Sequence, residues 1–376
     1  MEHIFRWFLP TSIRSNQKYF EFDITKYCKT FFSNDLYFER EIHFNRSYQF
    51  DRLLVEKFSN ITIKIYPFTS APMSNTNEAE SIVEKEIGAF GDYQHIVSRG
   101  NLRRMQGLII VQMSLNADIS YSPNLKLEEE YDIEKIFSWN DEFENLKSAI
   151  ISVANDICAF FLLGLHLTYP THSTYHESTP PQSSGLLSFT HEGGRYIMDE
   201  HSDIMSYPIL LEEKRLDILA TNLGLIAQVW HKNIWSFHRF LKAVQSNYIT
   251  IDSFLDLVFA LESFFDKNTS TEMMRLVTSI IIANNRQDTQ KIDQLLLNSF
   301  RIRNEVAHGG LHYRLYDYMP GKTKEKKKMI LESFWELKNL NIALISYGIR
   351  KLIADKNPIP PSSIRFGVND ILNKLF

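Results

Sequence analysis

Apolar residues recur at every second position in the first part of the chain, and later at every third or fourth. Ile61-Thr62-Ile63-Lys64-Ile65-Tyr66 alternates apolar and polar, the period of a half-buried strand. Tyr19 to Phe22 and Leu108 to Met113, rich in β-branched and aromatic residues, are further strand candidates, and Glu78 to Ala89 reads as a short helix. From Trp139 to Leu165 the period changes. Phe143, Leu146, Ile150, Val153, Ile157 and Phe160 fall at steps of three and four, which predicts a long helix.

Thr168 to Ser206 breaks this pattern with Pro170, Pro180, Pro181 and many Ser and Thr residues. It carries a hairpin signal, Leu186 to Thr190, a His191-Glu192-Gly193-Gly194 turn, then Arg195 to Met198. The stretch is expected to be a linker or an exposed excursion. From Ile209 onward every segment reads as helical: Leu211 to His231, Ile234 to Gln245, Asp252 to Phe265, Thr271 to Ala283, Asp288 to His308 and Glu325 to Ile353. Gly309-Gly310 is a stop signal for the fifth of these. Short connections between the segments predict an antiparallel bundle. The expected class is therefore α+β. Residues 1–165 form a mixed α/β domain, 166–208 the linker, 209–356 an all-helical domain and 357–376 a proline-bearing tail.

Length and composition support two folded domains, with room for a third. The chain has 376 residues, 44% hydrophobic and 23% charged, with 27 Phe and 17 Tyr, too aromatic for disorder. Net charge is −4, but Arg301 to Lys328 holds eight Lys/Arg against three Asp/Glu, a local +5 that leaves −9 elsewhere. Cys28 and Cys158 are far apart and form no CxxC pair, which fits a reducing, cytoplasmic setting. The start, Met1-Glu2-His3-Ile4-Phe5-Arg6, is too short and too charged for a signal peptide. The longest apolar run, Ile157 to Leu165, is far below the roughly 20 residues that span a bilayer, so no membrane association is expected. Walker loops, dinucleotide fingerprints and Gly-x-Ser-x-Gly elbows are absent.

Candidate chemistry concentrates in Arg303-Asn304-Glu305-Val306-Ala307-His308, at the end of a predicted helix. Asn304 and His308 are four apart and share a face. Arg303 and His308 are five apart, about 140° around an ideal helix, a gap that a long arginine side chain spans. Cleavage of RNA by internal transfer needs such a set. Histidine moves protons near neutral pH. Arginine holds a phosphate with fixed charge. Asparagine donates to a phosphate oxygen or orients the histidine. No metal or other cofactor is called for.

This run resembles the Arg-Asn-x-x-x-His form of the HEPN motif, and Phe259-Ala260-Leu261-Glu262-Ser263-Phe264-Phe265 resembles the first core helix of Apea-like HEPN domains. The resemblance covers roughly Leu211 to Ile353. It implies an endoribonuclease with Arg303, Asn304 and His308 as catalytic residues and Glu262 holding Arg303. It also implies a homodimer whose two motifs form one composite site. Members of the family occur in toxin–antitoxin and anti-phage systems, which implies an RNA substrate, a regulatory protein or phage-derived trigger, and a sensor role for the first domain. One departure is Gly310, where toxins silenced by adenylylation carry a tyrosine; Tyr313 is off that register.

Other residues carry weaker signals. Arg301, Arg314, Lys324, Lys326, Lys327 and Lys328 are candidates for RNA phosphate contacts, and Tyr313, Tyr316 and Tyr318 for stacking on unpaired bases or for packing. His166, His172 and His176 lie close together, and the last two have the spacing of a helical zinc pair. Flanking prolines and the missing zincin glutamate favour solvated loop histidines over a metal-dependent hydrolase. Two alternatives to catalysis stand beside the motif. Arg303 and His308 suit any helix C-terminus, where cations gain about 0.3–1 kcal/mol. The same helices also suit a non-catalytic module binding RNA, a nucleotide or a protein.

Overall fold

The structure is a computed structural model that describes residues 2–11, 13–32, 58–68, 75–87, 107–116, 141–169, 184–191, 194–201, 209–245, 251–265, 268–308 and 322–354. It is mixed α+β, with a sheet in the first part and helices in the second. Two compact units emerge, one of Met1–Leu165 and Pro180–Ala227, the other of His166–Thr179 and Gln228–Phe376.

The first unit is built on a six-stranded sheet in the order β3-β4-β5-β1-β6-β7. Its strands are β1 (Glu2–Thr11), β3 (Phe20–Asp23), β4 (Phe58–Pro67), β5 (Gly107–Asn116), β6 (Ser184–His191) and β7 (Gly194–His201), all paired antiparallel. A short parallel pair joins β2 (Ile13–Arg14) to β8 (Ile209–Leu210). The helices of this unit include α1 (Thr25–Phe32), α2 (Asn75–Ile87) and most of α3 (Asp141–Thr168).

Both sheet faces are covered, which explains why Leu108 to Val111 reads as a continuous apolar run. Cross-strand neighbours Trp7 and Val111, and Ile63 and Val111, share one face. There Trp7 Nε1 donates to Asn155 Oδ1 of α3 at 3.1 Å, and Phe22 packs on Phe161 with ring centroids 5.2 Å apart. On the other face Phe8, Tyr66, Leu108 and Ile110 pack against Val83 and Ile82 of α2. Glu86 of α2 reaches this face too. Its carboxylate accepts from Lys64 Nζ at 2.8 Å and from the Tyr66 hydroxyl, with Arg6 Nε 3.9 Å away. Burial opposes ionisation of Glu86, but these donors outweigh it and hold its carboxyl below the ordinary range.

The second unit takes the end of α4 (Leu216–Gln245) together with α5 (Ile251–Glu262), α6 (Thr271–Ile282), α7 (Arg286–Ala307) and α8 (Lys322–Ala354). Phe237, Phe240, Phe254, Leu257, Leu261, Leu296, Phe300, Phe334 and Leu337 are buried in its core. Helices α6 and α7 form a pair joined by three residues and clipped by a bidentate ion pair, with Arg275 Nε and Nη2 at 2.9 and 2.8 Å from the two Asp293 oxygens. Helix α8 lies against α5, where Asn341 Nδ2 donates to the Leu257 carbonyl at 3.2 Å.

The structure differs from the sequence expectation in three ways. The hairpin of β6 and β7 is part of the main sheet rather than a linker excursion, because β6 supplies the second hydrogen-bonded neighbour of β1. The helices expected at Leu211 to His231 and Ile234 to Gln245 are one helix, α4, preceded by β8 and a 3-10 turn at Glu213–Arg215. Within α4 the Asn233 side-chain amide donates to the Val229 carbonyl at 2.8 Å. The first compact unit also runs on to Ala227. The 2–11 strand and α1 carried no expectation.

Candidate functional site

Helix α7 is anchored at its start. The Asn285 side chain accepts from the Asp288 amide at 3.0 Å, and Asp288 places a carboxylate in the first turn, where the helix dipole favours it. Leu295, Leu296, Ser299, Phe300 and Ile302 face inward. The opposite stripe of Leu297, Arg301, Asn304 and His308, spaced four, three and four apart, is exposed. Arg303 lies on the border between the two.

That border position brings Arg303 to α5. One of its Nη atoms donates to the carboxylate of Glu262, the last residue of α5, and its Nη1 donates to Asn304 Oδ1 at 2.7 Å. The guanidinium carbon stands 6.0 Å from the centre of the Phe300 ring, and Nε is buried without a partner. The two ion-paired side chains are only 26% and 18% exposed. Arginine only donates, so the Asn304 carbonyl oxygen faces it and the amide NH2 is turned away. Of the five guanidinium N–H groups, two are engaged by Glu262 and Asn304 and one is buried. Among the described residues the other two find no partner, which leaves them able to meet an anion.

His308 caps α7 with φ −93° and ψ 11°, its backbone N–H bonded to the Asn304 carbonyl at 3.0 Å. It is exposed, one turn beyond Asn304 on the same stripe. The structure thus brings Glu262, Arg303 and Asn304 into one bonded chain, with the His308 backbone tied to Asn304. Arg301 is exposed on the same stripe. Lys324, Lys326, Lys327 and Lys328 lie in the first turns of α8. Arg314, Tyr313, Tyr316, Tyr318, Gly309 and Gly310 lie outside the described residues, as do His172 and His176.

His166 is not a loop residue. It occupies the last turn of α3, is 1% exposed, and sets its ring edge-on to Phe240 at 5.9 Å. Burial, helped by the nearby Lys338 charge, drives its pKa well below the usual histidine value, so it stays neutral. Lys338 is itself fully buried, 4.9 Å from the Trp335 ring, and burial lowers its pKa to about 7. Among the described residues no group of three or more His, Cys, Asp or Glu side chains is placed to hold a metal ion.

Sequence reasoning passed over a second charged cluster. On α4, Arg239 pairs with the buried Asp256 of α5, and its guanidinium lies 4.4 Å from the Trp235 ring and 5.7 Å from the Phe259 ring. The available signals were an aspartate inside the apolar stripe of α5 and the Trp235/Arg239 spacing of four. Compared with known proteins, the chain matches no family model, no curated protein and no solved structure.

Proposed function

We propose that this chain is a metal-independent endoribonuclease of the HEPN type, cutting RNA by 2′-hydroxyl attack and serving as a toxin or anti-phage defence effector. The observation that supports the reading is the chain Glu262–Arg303–Asn304 at the exposed end of α7, one turn from His308. Glu262 fixes the arginine fork, and the two remaining guanidinium donors suit the extra charge of a phosphorane. The outward amide of Asn304 suits a phosphate oxygen or the 2′-hydroxyl. His308 carries the proton. The 2′-oxygen bonds to phosphorus, the bond to the 5′-oxygen breaks, and the proton ends on that oxygen. The products are a 2′,3′-cyclic phosphate and a 5′-hydroxyl.

One histidine per chain must act as base and then as acid. A homodimer removes that demand, since a two-fold axis at the Leu297, Arg301, Asn304 and His308 stripe presents two histidines to one phosphate. The sheet unit then serves as sensor, with a regulatory protein or phage-derived trigger releasing activity in the cytoplasm.

The deciding experiment incubates wild type and His308→Ala with total cellular RNA in EDTA and identifies the fragment ends. Cleavage by wild type alone, with cyclic-phosphate ends, is expected. Ends with 3′-hydroxyl and 5′-phosphate overturn the mechanism. One observation favours a second reading: Arg303 is already engaged by Glu262, which suits a helix staple in a non-catalytic module binding RNA, a nucleotide or a protein. Binding that is indifferent to Arg303→Ala and His308→Ala, without cleavage, selects it.

A further inference from the structure

Trp235 is 48% exposed, although tryptophan is the side chain that gains most from burial. It is not loose. The Arg239 guanidinium, one turn along α4, stacks over the ring at 4.4 Å. Arg239 is held in turn by Asp256, which is 3% exposed, and leans on Phe259. Lys242, on the same face of α4 and exposed, places Nζ 3.9 Å from the other Asp256 oxygen. The result is a pinned indole beside Arg239 and Lys242, two cations that share, among the described residues, the one Asp256 carboxylate.

This cluster connects to the site already described. Phe259 and Glu262 are three apart on α5 and therefore neighbours on its surface. Phe259 touches Arg239, and Glu262 holds Arg303. Trp235 and Arg239 on α4, Phe259 and Glu262 on α5, and Arg303 and Asn304 on α7 thus belong to one compact unit, linked by the Arg239–Phe259 and Glu262–Arg303 contacts.

We infer that Trp235 is a stacking platform for an unpaired base of the RNA substrate, with Arg239 stiffening the indole and Lys242 meeting the adjoining backbone phosphate. The inference rests on the ribonuclease reading and extends it to single-stranded RNA. A flat ring immobilised in advance loses little entropy when a base stacks on it. Every base has a π face, so the platform is tolerant of sequence. Cations beside an aromatic ring suit a nucleotide, which joins a ring to a phosphate, better than an apolar protein segment.

The test measures affinity for two fluorescent single-stranded probes of 2′-O-methyl RNA, which lack the attacking hydroxyl. One carries bases and the other is an abasic backbone of the same length. Wild type, Trp235→Ala, Trp235→Phe and His308→Ala are compared as full chains. Base stacking predicts that Trp235→Ala weakens binding of the base-bearing probe by about 5- to 150-fold. Trp235→Phe keeps most of that affinity, and the abasic probe binds wild type and Trp235→Ala alike. Equal loss on both probes, or no loss on either, overturns the platform. If Trp235→Ala binds like wild type while His308→Ala alone abolishes cleavage of total RNA, the platform fails and the ribonuclease reading stands. If wild type binds neither probe, both fail.

Discussion

Arg303 on α7 is ion-paired to Glu262, 41 positions earlier at the last residue of α5. A carboxylate at a helix C-terminus faces the negative end of the dipole, a repulsion of about 0.3–1 kcal/mol. The position of Glu262 is unfavourable for α5 alone, and the arginine of another helix offsets it. Glu262→Gln keeps the shape and one acceptor but removes the charge that pins the guanidinium. Its expected effect is a loss of about 100-fold in RNA cleavage, the scale of a 1 Å misplacement. Arg303→Lys retains charge without the fork and is expected to lose as much or more. Single-turnover cleavage by the two variants, measured beside wild type, checks both. Full activity in Glu262→Gln removes Glu262 from the site.

His308 is exposed and contributes to the helix end through its backbone, which any residue supplies. His308→Ala is expected to leave unfolding stability within about 0.5 kcal/mol of wild type. Its cleavage rate is expected to fall by about 10² to 10⁴. Urea denaturation and cleavage assays on the same preparation separate the two. A large loss of stability would make any loss of cleavage uninformative about proton transfer.

Lys338 gives stability a pH dependence of unusual sign. Its pKa is about 7 when folded and near 10.5 when unfolded. Between those values the unfolded chain binds a proton that the folded one releases, so stability rises with pH by up to about 1.4 kcal/mol per unit. The penalty is complete below about pH 7 and gone above the unfolded value. Lys338→Met removes the titration. Its stability relative to wild type is therefore expected to be greatest at pH 7 and to shrink through pH 8 and 9. Urea titrations at the three values that run parallel for the two proteins refute the assignment.

Gly107 opens β5 where a side chain has no room. A Cβ there would meet the Tyr66 carbonyl at 2.9 Å, and the Ile13 carbonyl and Pro67 Cα at 3.2 Å, all backbone atoms. Gly107→Ala is expected to cost about 1–3 kcal/mol, as overpacking does. A lowered urea midpoint for the sheet unit, followed by near-ultraviolet dichroism, measures it.

Local signals carried much of this architecture. Ile61 to Tyr66 alternates as a half-buried strand would, yet both of its faces are covered, with Glu86 of α2 taking Lys64 and the Tyr66 hydroxyl; the 139–165 period matches α3 closely. Long-range pairing was not legible. Nothing near Leu186 tells that its strand adds to residues 5–8, since strand partners are chosen by the whole sheet. Within the candidate site, the spacing of Arg303, Asn304 and His308 was visible in one helix. The contact with Glu262 came only from resemblance. Trp235, Arg239 and Asp256 escaped notice because their meaning lies between two helices. His166 read as a solvated loop histidine and Lys338 carried no expectation; only tertiary burial makes them unusual.

The position of β1 inside the sheet sets a timetable for synthesis. One edge of β1 is satisfied once β5 is made, but its other partner, β6, ends at His191. At roughly 5–20 residues per second, translation from Asn116 to His191 takes roughly 4 to 15 seconds. During that interval a nascent chain presents the Phe5–Phe8 edge of β1 unpaired, the kind of template that pairs with strangers. A chain that ends anywhere in this window keeps β1 and β5 but lacks β6, and so carries an unpaired backbone edge that the full-length sheet closes.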